Sequence, residues 1–201
     1  MNRQAEWAGL LPRSTPRPAE GVWRLEELRG RLAEITSSGA SAAVTLAFRI
    51  VLDAQAAGEP VAWITTRRMC FFPPDAAEAG VDLEALAVVR VPAPFDILRA
   101  ADMLARAGAF GLLVLDVGAG DVAMAAQSRL LGLSQKPDAA VLFLTKKTGA
   151  SLGSLISLRG EARRARTGPG AFRCELAIVK DKRRAPGWTH AEVCRGSTGL
   201  R

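Results

Sequence analysis

The sequence predicts an α/β protein: a mostly parallel sheet flanked by helices, with an antiparallel extension at its C-terminal end. Three observations carry this. Short apolar, β-branched runs alternate with longer segments of helical periodicity from about residue 33 to residue 144, the order that builds a parallel sheet covered on both faces. The run FGLLVLD at residues 110–116 is an unbroken apolar strand closing on a single carboxylate. After Thr145 the alternation stops, and two strand-like segments flank the turn Thr167-Gly168-Pro169-Gly170, as in an antiparallel hairpin.

Taken in order, residues 1–20 carry Pro12, Pro16 and Pro18 with little periodic apolar content, so they predict an irregular arm before a single domain at residues 21–201. Residues 33–36 predict a short strand, and Ser37, Ser38 and Gly39 a turn. Residues 42–57 are apolar at almost every position except Arg49 and Asp53, and Gly58 follows, which predicts a nearly buried helix with a stop signal. The runs PVAWIT (60–65) and LAVVRV (86–91) predict buried strands with a loop and a short helix between them. Pro94 opens a helix over 95–107 with Ile97, Leu98, Ala101, Leu104 and Ala105 on one face. A helix over 121–131 and a strand over 140–144 complete the alternation. Residues 160–166 and 172–180 predict the hairpin, and 191–194 a third short strand.

Charged residues interrupt every hydrophobic run well before membrane-spanning length, and residues 1–20 lack the apolar stretch of a signal peptide. The expected location is the cytoplasm, at the nucleoid, with no membrane partner. Cys70, Cys174 and Cys194 are odd in number and far apart in sequence, which argues against a disulfide scaffold or a CxxC zinc site and predicts core thiols. His190 is the only histidine, a poor basis for a triad or a metal centre, and no metal site is predicted. Trp63 is expected in the core. Trp7, in the polar arm, anchors the arm either to its own domain or to a partner.

The net charge of +7 is unevenly spread: residues 1–145 hold 14 Lys+Arg against 16 Asp+Glu, a balance of −2, whereas residues 146–201 hold 13 against 4, a balance of +9. A basic C-terminal third on a neutral domain is either a polyanion-binding face or a solvated face that keeps the sheet edge from pairing.

A glycine-rich strand-to-helix loop is where a parallel sheet presents backbone N–H groups to phosphate. The pattern G-x-x-x-x-G-K-[ST] can be laid without a gap on residues 34–41, ending Ser37-Ser38-Gly39-Ala40-Ser41, and only Gly39 and Ser41 match. On that alignment Glu34 replaces the first glycine, bringing negative charge toward phosphate, and Ala40 replaces the lysine. The plain alternative is a helix entry capped by Ser37 or Ser38. Asp116, ending its strand, stands where such sites hold Mg²⁺.

The order of these segments resembles the core of the RecA recombinases. SSGASAAVTLAF is similar to their phosphate loop and helix, GEPVAWIT to the next strand, and AGVDLEALAVVRVP to their GVD connection. LRAADMLARAGAFGLLVLDVG is similar to their metal-binding strand, and LAIVKDKRRAPG to the late strand with its paired lysines, here Lys180 and Lys182. The resemblance implies a RecA-like fold of the P-loop NTPase type. The departures matter as much. Arg67 falls at the place of the catalytic Glu, and Thr145-Lys146 replaces the Asn-Gln that senses the γ phosphate. No catalytic residue is therefore assigned, no cofactor is expected beyond weak ATP/Mg²⁺ binding, and the protein is read as leaning away from enzymatic activity.

Among degenerate RecA-like families the chain resembles ImuA, a mutasome accessory, more than the SulA division inhibitors. This implies a non-hydrolysing accessory in SOS mutagenesis and translesion synthesis. Its implied partners are DNA without sequence preference, an ImuB-like polymerase homologue, an error-prone DnaE-type polymerase and RecA. Two alternatives stand beside it, a DNA-stimulated ATPase with a remodelled loop and a SulA-like inhibitor. The DNA contacts are expected from Lys146 and Lys147 in the loop after the 140–144 strand, from Arg159, Arg163, Arg164 and Arg166, and from a second cluster of Lys180, Lys182, Arg183 and Arg184. Protein contacts are expected at the arm or at an exposed sheet edge.

Overall fold

The structure is a computed structural model that describes residues 20–37, 41–68, 71–146 and 152–195. Its eight strands are β1 (Leu32–Ser37), β2 (Val61–Thr66), β3 (Leu86–Val91), β4 (Leu112–Gly118), β5 (Ala140–Thr145), β6 (Leu158–Gly168), β7 (Ala171–Asp181) and β8 (Thr189–Arg195). They form one sheet in the order β3-β2-β4-β5-β1-β6-β7-β8. All pairs from β3 to β6 are parallel, and β6–β7 and β7–β8 are antiparallel. The helices are α1 (Ala43–Ala56), α2 (Pro73–Glu78), α3 (Pro94–Ala107) and α4 (Met124–Gln135), with a 3-10 turn at Leu25–Glu27. The predicted fold class is observed.

The pleat sorts each strand between two cores. Ala33 and Ile35 of β1, with Val61 and Trp63 of β2, pack under α1, while Leu32, Ala62 and Ile64 pack with Ile97 and Ala101 of α3 and Leu130 of α4. Trp63 is fully buried, as expected for a strand buried on both faces, and its ring lies 5.2 Å from those of Phe48 and Phe71. Trp23 plugs the α1 side, its indole N–H donating to the Leu46 carbonyl at 3.0 Å.

Three boundaries differ from the sequence reading, each for a tertiary reason. β4 continues past Asp116 to Gly118 with a register shift against β5, so Asp116 lies within a strand and not at its end. α4 begins at Met124 because Val122 is buried and its carbonyl accepts the Gln127 amide at 2.8 Å, which ties the loop down before the helix starts. β1 extends to Ser37, held by parallel ladders on both sides, and Ser37 therefore does not cap α1. The N-cap residue is Ala42, which has no capping side chain, and the Ser41 hydroxyl one residue before it accepts the Ala43 N–H at 2.9 Å.

The hairpin is longer than predicted and changes the shape of the molecule. The last β1–β6 pair is Ser37–Ala162, yet β6 runs on to Gly168. At about 3.3 Å per residue this carries the tip roughly 20 Å beyond the carboxyl ends of the parallel strands. Gly160 sits at a bulge where a Cβ would come 2.5 Å from Leu176, so β6 and β7 can close over the α1-side core only with glycine there.

Candidate functional site

At the carboxyl end of the parallel strands a cavity of about 190 Å³ is lined by Ser37, Ser41, Ala43, Val44, Asp116, Leu144, Thr145 and Lys146. Parallel topology brings these residues together: β1, β4 and β5 are adjacent and end on the same side, where α1 begins. Asp116 is 7% exposed, and the Thr65 hydroxyl donates to it at 3.4 Å. Burial pushes its carboxyl above the usual aspartate range, against the charge of Lys146 and the Thr65 hydrogen bond, which act downward. The sequence reading grouped Ser37, Ser41 and Asp116 and assigned Lys146 to the DNA contacts; in the structure all four line this cavity. Ser38, Gly39 and Ala40 lie outside the described residues.

The basic residues divide into groups that the sequence reading had merged. Arg163, Arg164 and Arg166 are exposed on the projecting part of β6. Arg164 lies 4.6 Å over the Phe172 ring, and Arg163 pairs with Glu161 at 3.7 Å. The register adds Arg173, opposite Ala165, and Arg195, opposite Ala171. Neither was singled out from the sequence, because each becomes part of the patch only through cross-strand pairing.

Lys180, Lys182, Arg183 and Arg184 sit at the other end of the hairpin. Phe172 pairs with Arg166 near the tip, and the ten residues from there to Lys182 span roughly 30 Å. The proposed second cluster is therefore not continuous with the first. Its members are also engaged within the chain. The Lys180 ammonium donates to the Gly153 carbonyl at 3.0 Å and that of Lys182 to Ser154 at 2.7 Å. Burial, then the charge of Lys182, lowers the affinity of Lys180 for its proton. Arg183 donates to the Arg29 carbonyl. Arg184 stacks 4.1 Å over Trp188 and pairs with Glu27 and Asp181.

Arg159 is a correction. It is 8% exposed and faces Glu34, itself fully buried, at 3.6 Å, so it is too deep to reach a nucleic-acid phosphate. Glu34, Arg159 and Lys180 are register partners on the adjacent strands β1, β6 and β7, and form one row of charges across the sheet. Residues 152–157 cross over this row. Glu34 accepts the Thr145 hydroxyl at 2.9 Å and the Leu152 N–H at 3.4 Å, and Gln127 donates to the Leu152 carbonyl at 2.6 Å. Lys147 lies outside the described residues.

The sequence matches the RecA N-terminal domain over residues 21–138. The chain belongs to the RecA N-terminal domain family. Protein RecA of Nocardia farcinica is 39% identical over 88 residues, covering 44% of this chain and 25% of that protein. Protein RecA of Rhodococcus jostii is 40% identical over the same length and shares. The match thus spans about a quarter of these curated relatives. In the crystal structure of the RadB recombinase the fold recurs with a TM-score of 0.61 at 18% identity, over 82% of this chain and 87% of that one.

The RecA-family fold implies a nucleotide and Mg²⁺ at the cavity, and the residues present do not fit them. The alignment that put Glu34 in the phosphate loop is overturned: Glu34 lies inside β1, on the face opposite α1, bound to Arg159 and Thr145. It therefore does not confront phosphates. What the connection lacks is the charge of the motif, since Ala40 stands where the lysine would reach the phosphates. The cavity, about 190 Å³, also falls below the ~300 Å³ at the small end of ligand pockets. Arg67 is exposed just after β2, and buried Thr145 holds Glu34 at the sensor position.

Among the described residues no cluster of His, Cys, Asp or Glu is arranged to hold a metal ion, and no helix is long and apolar enough to cross a membrane. Cys174 is buried, and burial together with the neighbouring Cys174 thiol pushes the Cys194 thiol up to about 12. Cys174 is a core thiol, and Cys194 is half-buried on β8, packed against the same core. Cys70 and Trp7 lie outside the described residues. His190 accepts the Trp23 N–H at 3.4 Å, a packing role.

Proposed function

We propose that this RecA-family chain is a non-hydrolysing accessory of DNA-damage tolerance that binds DNA through the projecting hairpin. The observation that carries this is the hairpin itself: its tip overhangs the cavity end of the sheet and carries Arg164 and Arg166 on one face and Arg163, Arg173 and Arg195 on the other. Arg164 and Arg166 have no carboxylate partner among the described residues, so their charge is available to a phosphodiester backbone. With no tyrosine in the chain and few aromatics, there is little material for base stacking, and binding is sequence-tolerant and salt-dependent. Lys146, at the cavity rim, extends the same surface. The resemblance to ImuA supplies the protein partners, an ImuB-like polymerase homologue, an error-prone DnaE-type polymerase and RecA.

Salt titration of DNA affinity tests the reading. Each phosphate neutralised contributes about −0.9 to the slope of log affinity against log salt on duplex DNA. Replacing Arg163, Arg164 and Arg166 with Ala flattens that slope, and an unchanged slope assigns these residues to solvation instead.

A further inference from the structure

β8 is one of the two edges of the sheet, and its outer side is almost bare. Among the described residues only Thr189 is paired there, through a parallel bridge to Glu20 in which the Gly21 N–H donates to the Thr189 carbonyl at 2.9 Å. The chain then leaves the edge, and Trp23 turns into the core. Because N–H and C=O of a strand residue point to the same side and alternate along it, the outward Thr189 carbonyl sets the phase. Ala191, Val193 and Arg195 point their backbone groups outward, and among the described residues nothing receives them.

Natural edges are blunted by proline, lysine, a bulge or a covering segment. Residues 189–195 contain no proline and no lysine, and pair with β7 without a register shift. The side chains add a second signal. Val193 is 70% exposed, and Arg173 is its partner on β7, with Arg195 two residues on along the same face. An added strand would lay one side chain beside Val193 and, two positions on along the same face, another beside Arg195, which an apolar and an acidic residue suit in turn. The N-terminal arm is a poor occupant, since Pro12, Pro16 and Pro18 lack the donors a ladder requires. A second copy carries the same charge of +7, which opposes approach.

We propose that the β8 edge is a docking site for an extended segment of a partner protein, added as a ninth strand, in which an apolar, β-branched residue and an acidic one stand two positions apart on the same face. This names the surface and the chemistry of the protein contact that the proposed function requires, but it does not depend on DNA binding by Arg164 and Arg166, which lie on the opposite face of the sheet from Val193.

The test uses the full chain and a synthetic acetylated peptide repeating Val-Thr-Glu-Thr, which carries Val and Glu on one face, with amide exchange read residue by residue. The expected result is new protection at Ala191, Val193 and Arg195 and none at the already paired Glu192 and Cys194. Val193→Pro removes one outward donor at a position where an edge tolerates proline, and costs the peptide roughly tenfold in affinity, the loss of about one hydrogen bond. Val193→Lys, an edge-protecting change that keeps the backbone donor, weakens the peptide as well. A peptide with Lys in place of Glu does not bind. Four outcomes overturn the proposal: equal binding of the Lys peptide, protection without the alternating pattern, protection of these amides in concentrated protein alone (a second copy), or their protection by a single-stranded oligonucleotide and not by the peptide. Failure here leaves the salt-slope experiment on the hairpin arginines unaffected.

Discussion

Asp116 and Asp181 are both buried and have opposite electrostatics. Asp116 has one hydroxyl donor at 3.4 Å, and burial raises its folded pKa. An acid raised in the folded state loses stability for the protein as pH climbs from the unfolded value, about 3.9, through the folded one. Asp116→Asn therefore raises the midpoint of thermal unfolding at neutral pH and leaves it unchanged near pH 3, which scanning calorimetry at the two pH values checks. Burial also pushes Asp181 up, but Arg31 at 2.8 Å, the Arg183 N–H at 3.0 Å and the Trp188 indole at 3.3 Å more than offset it, and its carboxyl lies below the ordinary range. Its contribution is present above about pH 3.9 and lost as pH falls through the depressed folded value. Arg31→Met leaves Asp181 buried with its main partner gone, and should cost about 3–5 kcal/mol in denaturant titration.

At the level of elements, the described part of the crossover from β5 to β6 is tied by backbone bonds at Ser157 and, at residues 152–154, by side chains. Gln127 donates to the carbonyls of Val122 and Leu152, Lys180 and Lys182 donate to Gly153 and Ser154, and Glu34 takes the Leu152 N–H. Gln127→Ala leaves two buried carbonyls unpaired, a loss of about 1–3 kcal/mol, and speeds amide exchange at residues 152–154. Unchanged exchange there would mean the apolar contacts of Leu152 and Ile156 suffice to hold the crossover. Glu34→Ala is more damaging, since it leaves Arg159 as an uncompensated buried cation. The lysines that resemble the paired lysines of the recombinases thus have an intramolecular use in this chain.

For the molecule as a whole, the degenerate phosphate loop bears on assembly. RecA filaments sandwich ATP between protomers, and this site does not fit it. The chain is expected as a monomer or small oligomer whose size does not change with ATP and single-stranded DNA; light scattering is the measurement, and long ATP-dependent filaments would revive the recombinase reading. Calorimetry should likewise show no micromolar ATP affinity, for the wild type or for Ala40→Lys. The sequence reading blamed Glu34 for that failure. The fold puts Glu34 inside β1, engaged with Arg159 and Thr145 and away from the loop, so Glu34→Gly combined with Ala40→Lys is not expected to restore binding.

The sequence by itself determined the α/β class, the order of the elements and the hairpin, because apolar periodicity and turn residues are local properties that each segment carries alone. It also grouped Ser37, Ser41 and Asp116 at one place, since parallel strands end on one side and the strand-to-helix loops collect there, whereas Lys146, read from sequence as a DNA contact, joins the lining of that cavity only in the fold. Tertiary structure alone decided which charges are free. Arg159 reads in sequence like Arg163, four residues on, yet one lies in a buried row with Glu34 and the other projects past the sheet. Register is the physical reason. A strand residue's surroundings are set by its cross-strand neighbours and by what crosses over them, and no single segment encodes either. For the same reason Arg173, Arg195 and the bare β8 edge became visible only once β6, β7 and β8 were paired.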